Sequence, residues 1–360
     1  MKRASAASRK TSVELIRLNV PGVYSYPPID KKLAFGELTL EMLEMHGILL
    51  SGLKLPASPL ENKSSAEFLK NLVIKEKHIT PELMSGFATN RLAQPTDEGQ
   101  GSVSSDNWCG YTIVAGAPWS SASGMWTVTN SLQARYQQPA TLTDVATGQQ
   151  QTNYWAYVWV GLGGFTSNDV LQAGMAIIVP PNGPAQYLPY FEWFVSGFNA
   201  YKAQFPYVLP QFSTGSNSPI VPGDTIYAAV QYATMLTPGS QTPVLGGTVF
   251  IVNLTSQWYF SLFLPTPNVA SIPGGAARDG SSVEWIVEQV GGLAGSLPNF
   301  QILNMSHASG AGVAGATNKF WADGNTLALT PNDQGTVSAL AYVSNSIPDQ
   351  VIVAYIAQPN

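Results

Sequence analysis

The stretch SSVEWIVEQV, residues 281–290, sets two glutamates into a run with the apolar, β-branched texture of a buried strand. Alternate strand residues share a face, so Glu284, Ile286 and Glu288 point one way and Trp285, Val287 and Gln289 the other. A carboxylate on an apolar face is desolvated and held by hydrogen bonds in a chosen protonation state. That suits a general base or acid, and equally a structural carboxylate or a solvated edge strand. Glu192, in YFEWFV, repeats the theme with Trp193 on the opposite face. If their strands are neighbours, Glu192 and Glu288 form a glycosidase pair. Glu284 and Glu288, with Cα atoms roughly 13 Å apart along one strand, are poorly placed for that role.

Gln172, in VLQAGMA, is an amide among apolar residues, followed by Ala and Gly that let a ligand or backbone come close. Its N–H can stabilise a developing oxyanion or bridge neighbouring strands. Trp108, Trp155, Trp159, Trp193 and Trp285 offer either a platform for sugar or peptide side chains or core mass.

The elements that must position these residues are strands. From residue 107 onward the chain runs through about a dozen short aromatic and β-branched segments, among them TNYWAYVWVGL, DVLQAGMAIIV and GGTVFIVNLT, separated by Gly, Pro, Asn and Ser turns. Without intervening helical periodicity, this predicts an all-β antiparallel double-sheet sandwich. The earlier part differs. Ser64 and Glu67 form a capping box that predicts a helix near 65–77, and LTLEMLEMHGILL at 38–50 reads as a second helix or a strand. AQPTDEGQGSVSSD, 93–106, reads as an exposed linker between an N-terminal unit of about 100 residues and a sandwich over 101–360.

Charge divides the chain at the same place. Only 11% of the 360 residues are charged, about half the usual share. Residues 1–100 hold 13 of the 17 Lys and Arg and 11 of the 22 Asp and Glu, so the two units carry +2 and −7. Four basic residues spread over the second unit form no phosphate-binding stripe, which argues against nucleic acid as a partner. One cysteine, Cys109, excludes an internal disulfide, and His46, His78 and His307 are too few for a histidine-rich metal site. A triad using His307 lacks a nucleophile-elbow motif. The basic, polar start shows no secretory signal, and no apolar run approaches a membrane span, so the chain reads as soluble with no visible export route.

DNWCGY at 106–111, WVGLGG at 159–164, VLQAG at 170–174, FEW at 191–193, PGDTI at 222–226 and VEWIVEQ at 283–289, in this order and spacing, resemble the eqolisins, the glutamic peptidases. The resemblance implies a concanavalin-like sandwich made with a prosegment, needing no metal or organic cofactor, with Gln172 and Glu288 as its catalytic dyad. It also implies a peptide or protein substrate and secretion, with a cytoplasmic location left open by the absent signal. By the same resemblance Trp108 and Trp159 line the cleft, Glu192 is an acid near the dyad, and Phe194 stands where a cleft tyrosine is common. This sequence departs from the family at Gly163 and Ala176, both usually Asp, and at Val290, usually Phe. Its single cysteine also leaves out the disulfides of fungal members.

The expected activity is therefore an acid-acting endopeptidase. Its net-basic N-terminal unit is expected to be held on the acidic one partly by charge, and released by cleavage in the linker as acid protonates the carboxylates. A carbohydrate-binding sandwich without catalysis and a glycosidase using Glu192 and Glu288 are the alternatives.

Overall fold

The computed structural model describes residues 13–19, 22–30, 39–50, 77–80, 84–85, 102–134, 138–143, 150–167, 169–195, 207–208, 220–267, 278–289, 297–312, 324–329, 338–344 and 347–356. Thirteen strands carry the sandwich: β1 (Trp108–Ile113), β2 (Trp119–Thr127), β3 (Gln150–Gly163), β4 (Asp169–Val179), β5 (Gln186–Val195), β6 (Thr225–Met235), β7 (Val244–Asn253), β8 (Trp258–Pro265), β9 (Val283–Gln289), β10 (Ile302–Gly312), β11 (Gly324–Leu329), β12 (Ala339–Ser344) and β13 (Ile347–Tyr355). The front sheet runs β11–β1–β9–β3–β4–β5 and the rear sheet β13–β10–β2–β6–β7–β8, antiparallel throughout. Strand β12 joins the two at one edge by pairing with β11 and β13. The expected all-β double-sheet architecture is thus present.

Strict alternation builds the core. Val158, Val160 and Leu162 of β3, Leu171, Ala173 and Met175 of β4, and Trp285 and Val287 of β9 face inward against Val230, Val249, Ile251 and Leu262 of the rear sheet. Each such side chain contributes about 1.5–3 kcal/mol by leaving water. The strands are buried on both faces, so the outward-facing residues of the front sheet are enclosed as well: Glu284, Glu288, Gln172 and Glu192 are all buried.

Several of the described N-terminal residues lie on the edge and outer face of the rear sheet. Ile16–Arg17 pairs with Tyr24–Ser25, which adds to β8, and Lys77–His78 pairs in parallel with Trp258–Tyr259. A short helix, Leu40–Met45, is capped by the Thr39 hydroxyl, which accepts from the Met42 amide. This resolves the ambiguity of the 38–50 segment in favour of a helix followed by a turn and a buried, irregular Ile48–Leu50. Leu43, Ile48, Leu49 and Leu50 pack on Tyr227, Phe250, Val252 and Tyr259. Gly47, at φ 68°, brings its carbonyl to the Ser261 hydroxyl, which donates at 2.6 Å, and leaves no room there for a side chain. Apolar packing thus joins backbone pairing and a buried hydrogen bond in this docking. Leu43→Ala should accordingly lower the unfolding free energy of the whole chain by about 2–5 kcal/mol in urea melts. A shift confined to a separate, early transition would contradict shared packing.

Ser102–Ser105 pairs in parallel with β11 and ends in the buried Ser105, so this part of the expected exposed linker is a strand of the sandwich. Linker residues 93–101 and residues 65–76 of the expected helix lie outside the described residues, and Lys77, at the end expected for that helix, is in a strand.

Candidate active site

Three rows of side chains cross the outer face of the front sheet. Thr112, Glu284, Gly161, Gln172 and Glu192 stand opposite one another in the first. Gly110, Ile286, Trp159, Gly174 and Tyr190 make the second, and Trp108, Glu288, Tyr157, Ala176 and Leu188 the third. The alternation that puts Glu284 and Glu288 on one face therefore also puts Gln172, Glu192, Trp108 and Trp159 there. Trp193 and Trp285 belong to the core between the sheets, and Phe194 is half-buried at the end of the outer face.

Glu288 is 4% exposed. Its Oε2 accepts from the Trp159 indole N–H at 2.9 Å and its Oε1 from the Asn107 amide at 3.4 Å. Gly161, on the same face as Trp159, has no side chain to displace the indole ring, which lies against it. Burial pushes the Glu288 carboxyl up to about 7. The Trp159 N–H opposes that rise most, followed by the Trp108 N–H, which lies nearby without a formed hydrogen bond, and by Asn107. Trp108 and Trp159 meet edge to face at 5.1 Å.

Gln172 is 3% exposed. Its Nε2 donates to the Tyr190 hydroxyl at 2.8 Å and to Glu192 Oε2 at 2.9 Å, and Tyr190 in turn donates to the same Glu192 oxygen at 2.7 Å. This closed triangle fixes the amide and leaves Gln172 Oε1 without a partner. Burial raises Glu192 to about 8, opposed by the Tyr190 hydrogen bond and reinforced by the charge of Glu288. The Tyr190 ring stacks on Tyr157 at 4.2 Å.

Glu284 is fully enclosed, accepting at Oε1 from the Ser282 hydroxyl at 2.6 Å and the Phe165 amide at 3.1 Å. It ties the 164–167 turn to β9, and burial raises it to about 8. Glu192 and Glu288 lie on β5 and β9, with β3 and β4 between them, so the neighbouring-strand arrangement required of a glycosidase pair is absent. Gly163 has φ 81°, and the Asp169 carbonyl occupies the place a side chain would take. Ala176 puts a methyl group opposite Tyr157.

Asn107, Tyr157 and Tyr190 were not among the residues singled out from the sequence. Asn107 lies inside the quoted DNWCGY block, and the two tyrosines precede Trp159 and Glu192 by two residues, the spacing that shares a strand face. Among the described residues no group of three or more His, Cys, Asp or Glu side chains is gathered as metal ligands. Cys109 is buried and forms no disulfide.

The model of the Peptidase A4 family matches residues 106–355, spanning all thirteen strands of the sandwich. No curated protein matches the chain.

Proposed function

The chain belongs to the Peptidase A4 family and is a glutamic endopeptidase, and from this premise we propose that Glu288 and Gln172 are its catalytic pair. The observation that carries the assignment is the placing of one desolvated carboxyl and one fixed amide on a single enclosed face of the front sheet, beside Trp108 and Trp159.

Glu288, when ionised, takes a proton from the attacking water as the water oxygen bonds to the scissile carbonyl carbon. Gln172 meets the water through its open Oε1. Its Nε2 stabilises the tetrahedral oxyanion by exchanging one of the bonds it makes to Tyr190 and Glu192. On collapse, the C–N bond breaks and Glu288 returns the proton to the departing amine. Trp108, Trp159 and Phe194 line the substrate cleft, and Glu192 orients the amide.

Acid-range action requires Glu288 to ionise below neutrality. Burial is the main cause of its rise, so admitting water and substrate to this face lowers it again, with the Trp159 N–H favouring the charged form. The full chain, with its pair buried, fits a zymogen. Its N-terminal unit reaches the catalytic sheet as well as the rear one: Met84–Ser85 pairs with Tyr207–Val208, which pairs with Tyr190–Phe191 beside the amide triangle. This supports the N-terminal unit as a prosegment whose displacement opens the cleft. The sparse charge of the sandwich supports exposure to acid outside the cell, because fewer groups repel one another as carboxylates neutralise. Among the described residues no helix is long and apolar enough to cross a membrane.

The test is hydrolysis of an unfolded protein substrate from about pH 2 to 8, with chelator and pepstatin present, comparing wild type with Gln172→Ala. A kcat lower by about a hundredfold in a folded Gln172→Ala is the expected result. Undiminished hydrolysis in that variant would remove Gln172 from the pair. Glycan binding without any proteolysis would favour the carbohydrate-binding alternative.

A further inference from the structure

On the catalytic face, Trp108 Nε1, Thr112 Oγ1, the Tyr157 hydroxyl, Gln172 Oε1, Glu192 Oε1 and Glu284 Oε2 are buried without hydrogen-bond partners. Three of these atoms are donors, and Thr112 stands at the far end of the first row, opposite Glu284 and away from Glu288. The Trp108 N–H already serves Glu288, whose charged form it favours from close by. The Tyr157 hydroxyl serves nothing. Its ring is held by stacking on Tyr190, it stands directly opposite Glu288 on the neighbouring strand, and Ala176, opposite it on the other side, offers no acceptor. A buried, unpaired hydroxyl is costly to keep, and a fold that keeps one beside its reacting groups has a donor waiting for a charge.

We propose that the Tyr157 hydroxyl is a catalytic donor to the tetrahedral oxyanion, acting together with the Gln172 amide; this rests on the peptidase reading given above. Both Nε2 hydrogens of Gln172 are engaged at rest, so the amide gains only the difference between the oxyanion and the partner it gives up. Tyr157 gives up nothing. Having already lost its water, it gains the whole hydrogen bond when the carbonyl oxygen becomes negative and little before, which is the differential binding that lowers a barrier. Glu288 from β9 and Ala176 from β4 stand opposite it, Tyr190 from β5 stacks on it, and the charges of Glu192 and Glu288 act on it. Burial and the charges of Glu192 and Glu288 hold its proton on well beyond the usual phenol range, so it donates throughout the working pH range and transfers no proton. Water supplies the proton that Glu288 carries to the amine, and the carbonyl electron pair placed on oxygen returns as the C–N bond breaks.

The test is Tyr157→Phe, which deletes only the unpartnered oxygen. Steady-state hydrolysis of a peptide should show kcat lower by about ten- to a hundredfold, with KM within about twofold, an unchanged acidic limb, and a thermal midpoint equal to or above that of wild type. A peptide carrying a tetrahedral phosphinate at the scissile position should lose affinity by the same factor. Substrate hydrolysed with kcat within about twofold of wild type, or a loss carried by KM alone, overturns the proposal. If wild type is active and Glu288→Gln is not, that overturning touches Tyr157 alone. A fully active Glu288→Gln would instead overturn the reading beneath it.

Discussion

Glu288→Gln is expected to lower hydrolysis by about 10³- to 10⁴-fold, because one group acts as base in the attack and as acid in the collapse, and each role lies in the range of general acid–base catalysis. The amide is nearly the same size and still accepts from the Trp159 indole, so packing beside Trp108 and Tyr157 is retained. What is lost is the ability to take a proton. The variant should also be more stable than wild type at pH 8, since an amide has no charge to bury. Loss of turnover with a gain in neutral-pH stability separates a catalytic carboxyl from a structural one, whose removal lowers both. Circular dichroism melts beside initial rates make the distinction, and a variant that keeps more than a tenth of the wild-type rate would place the base elsewhere.

The second large effect is a stability that falls as pH rises, opposite to acid denaturation. Burial raises Glu288 to about 7 and Glu192 and Glu284 to about 8, from an ordinary value of 4.5. Below 4.5 these carboxyls are protonated in both the folded and the unfolded chain, and the fold has its full stability. Between 4.5 and about 8 the unfolded chain releases these protons while the native state holds them, so unfolding becomes easier with each step in pH. Above 8 the native groups ionise too and the slope flattens. At about 1.4 kcal/mol for each pH step and each group, the loss is on the order of 5 kcal/mol or more across the window. His78, lowered chiefly by burial, acts in the opposite direction, while Glu44, raised chiefly by burial, adds to the three carboxyls. Urea melts at pH 4.5, 6 and 8 measure the slope, and equal or greater stability at pH 8 than at 4.5 would show that these carboxyls are not held protonated in the native state.

Alternation was enough to read the sandwich and to put Glu284 and Glu288 on one face, because the side-chain period of a strand is fixed locally. It did not show which residues stand opposite them. Gln172 faces Glu192 across one strand pair, and it lies in the row of Glu284 and not in that of Glu288, a matter of register among four strands that no single segment encodes. Tyr157 and Tyr190 were hidden by a different cause. In YWAYVWVGL both faces are apolar, so a tyrosine that waits for a charge has the same pattern as one that fills the core. Glu284 shows the converse: its burial follows from the turn at Phe165 and from Ser282, contacts without any local signature. The docking of Leu43 and Ile48–Leu50 was not legible either, because net charge is a sum, while docking depends on where these side chains meet a complementary apolar face.

That docking also sets the order in which the chain can become native. Tyr26 shares a hydrogen bond with Thr248, 222 residues further on, and Gly47 receives the Ser261 hydroxyl across 214 residues. During synthesis these residues are made well before the strands they cover, so they are among the last to find their place. Contacts of such separation make the search slow. Through that interval Leu43, Ile48, Leu49 and Leu50 lack the rear-sheet face on which they pack in the native chain, which makes the nascent protein a natural client for chaperones that hold short apolar segments.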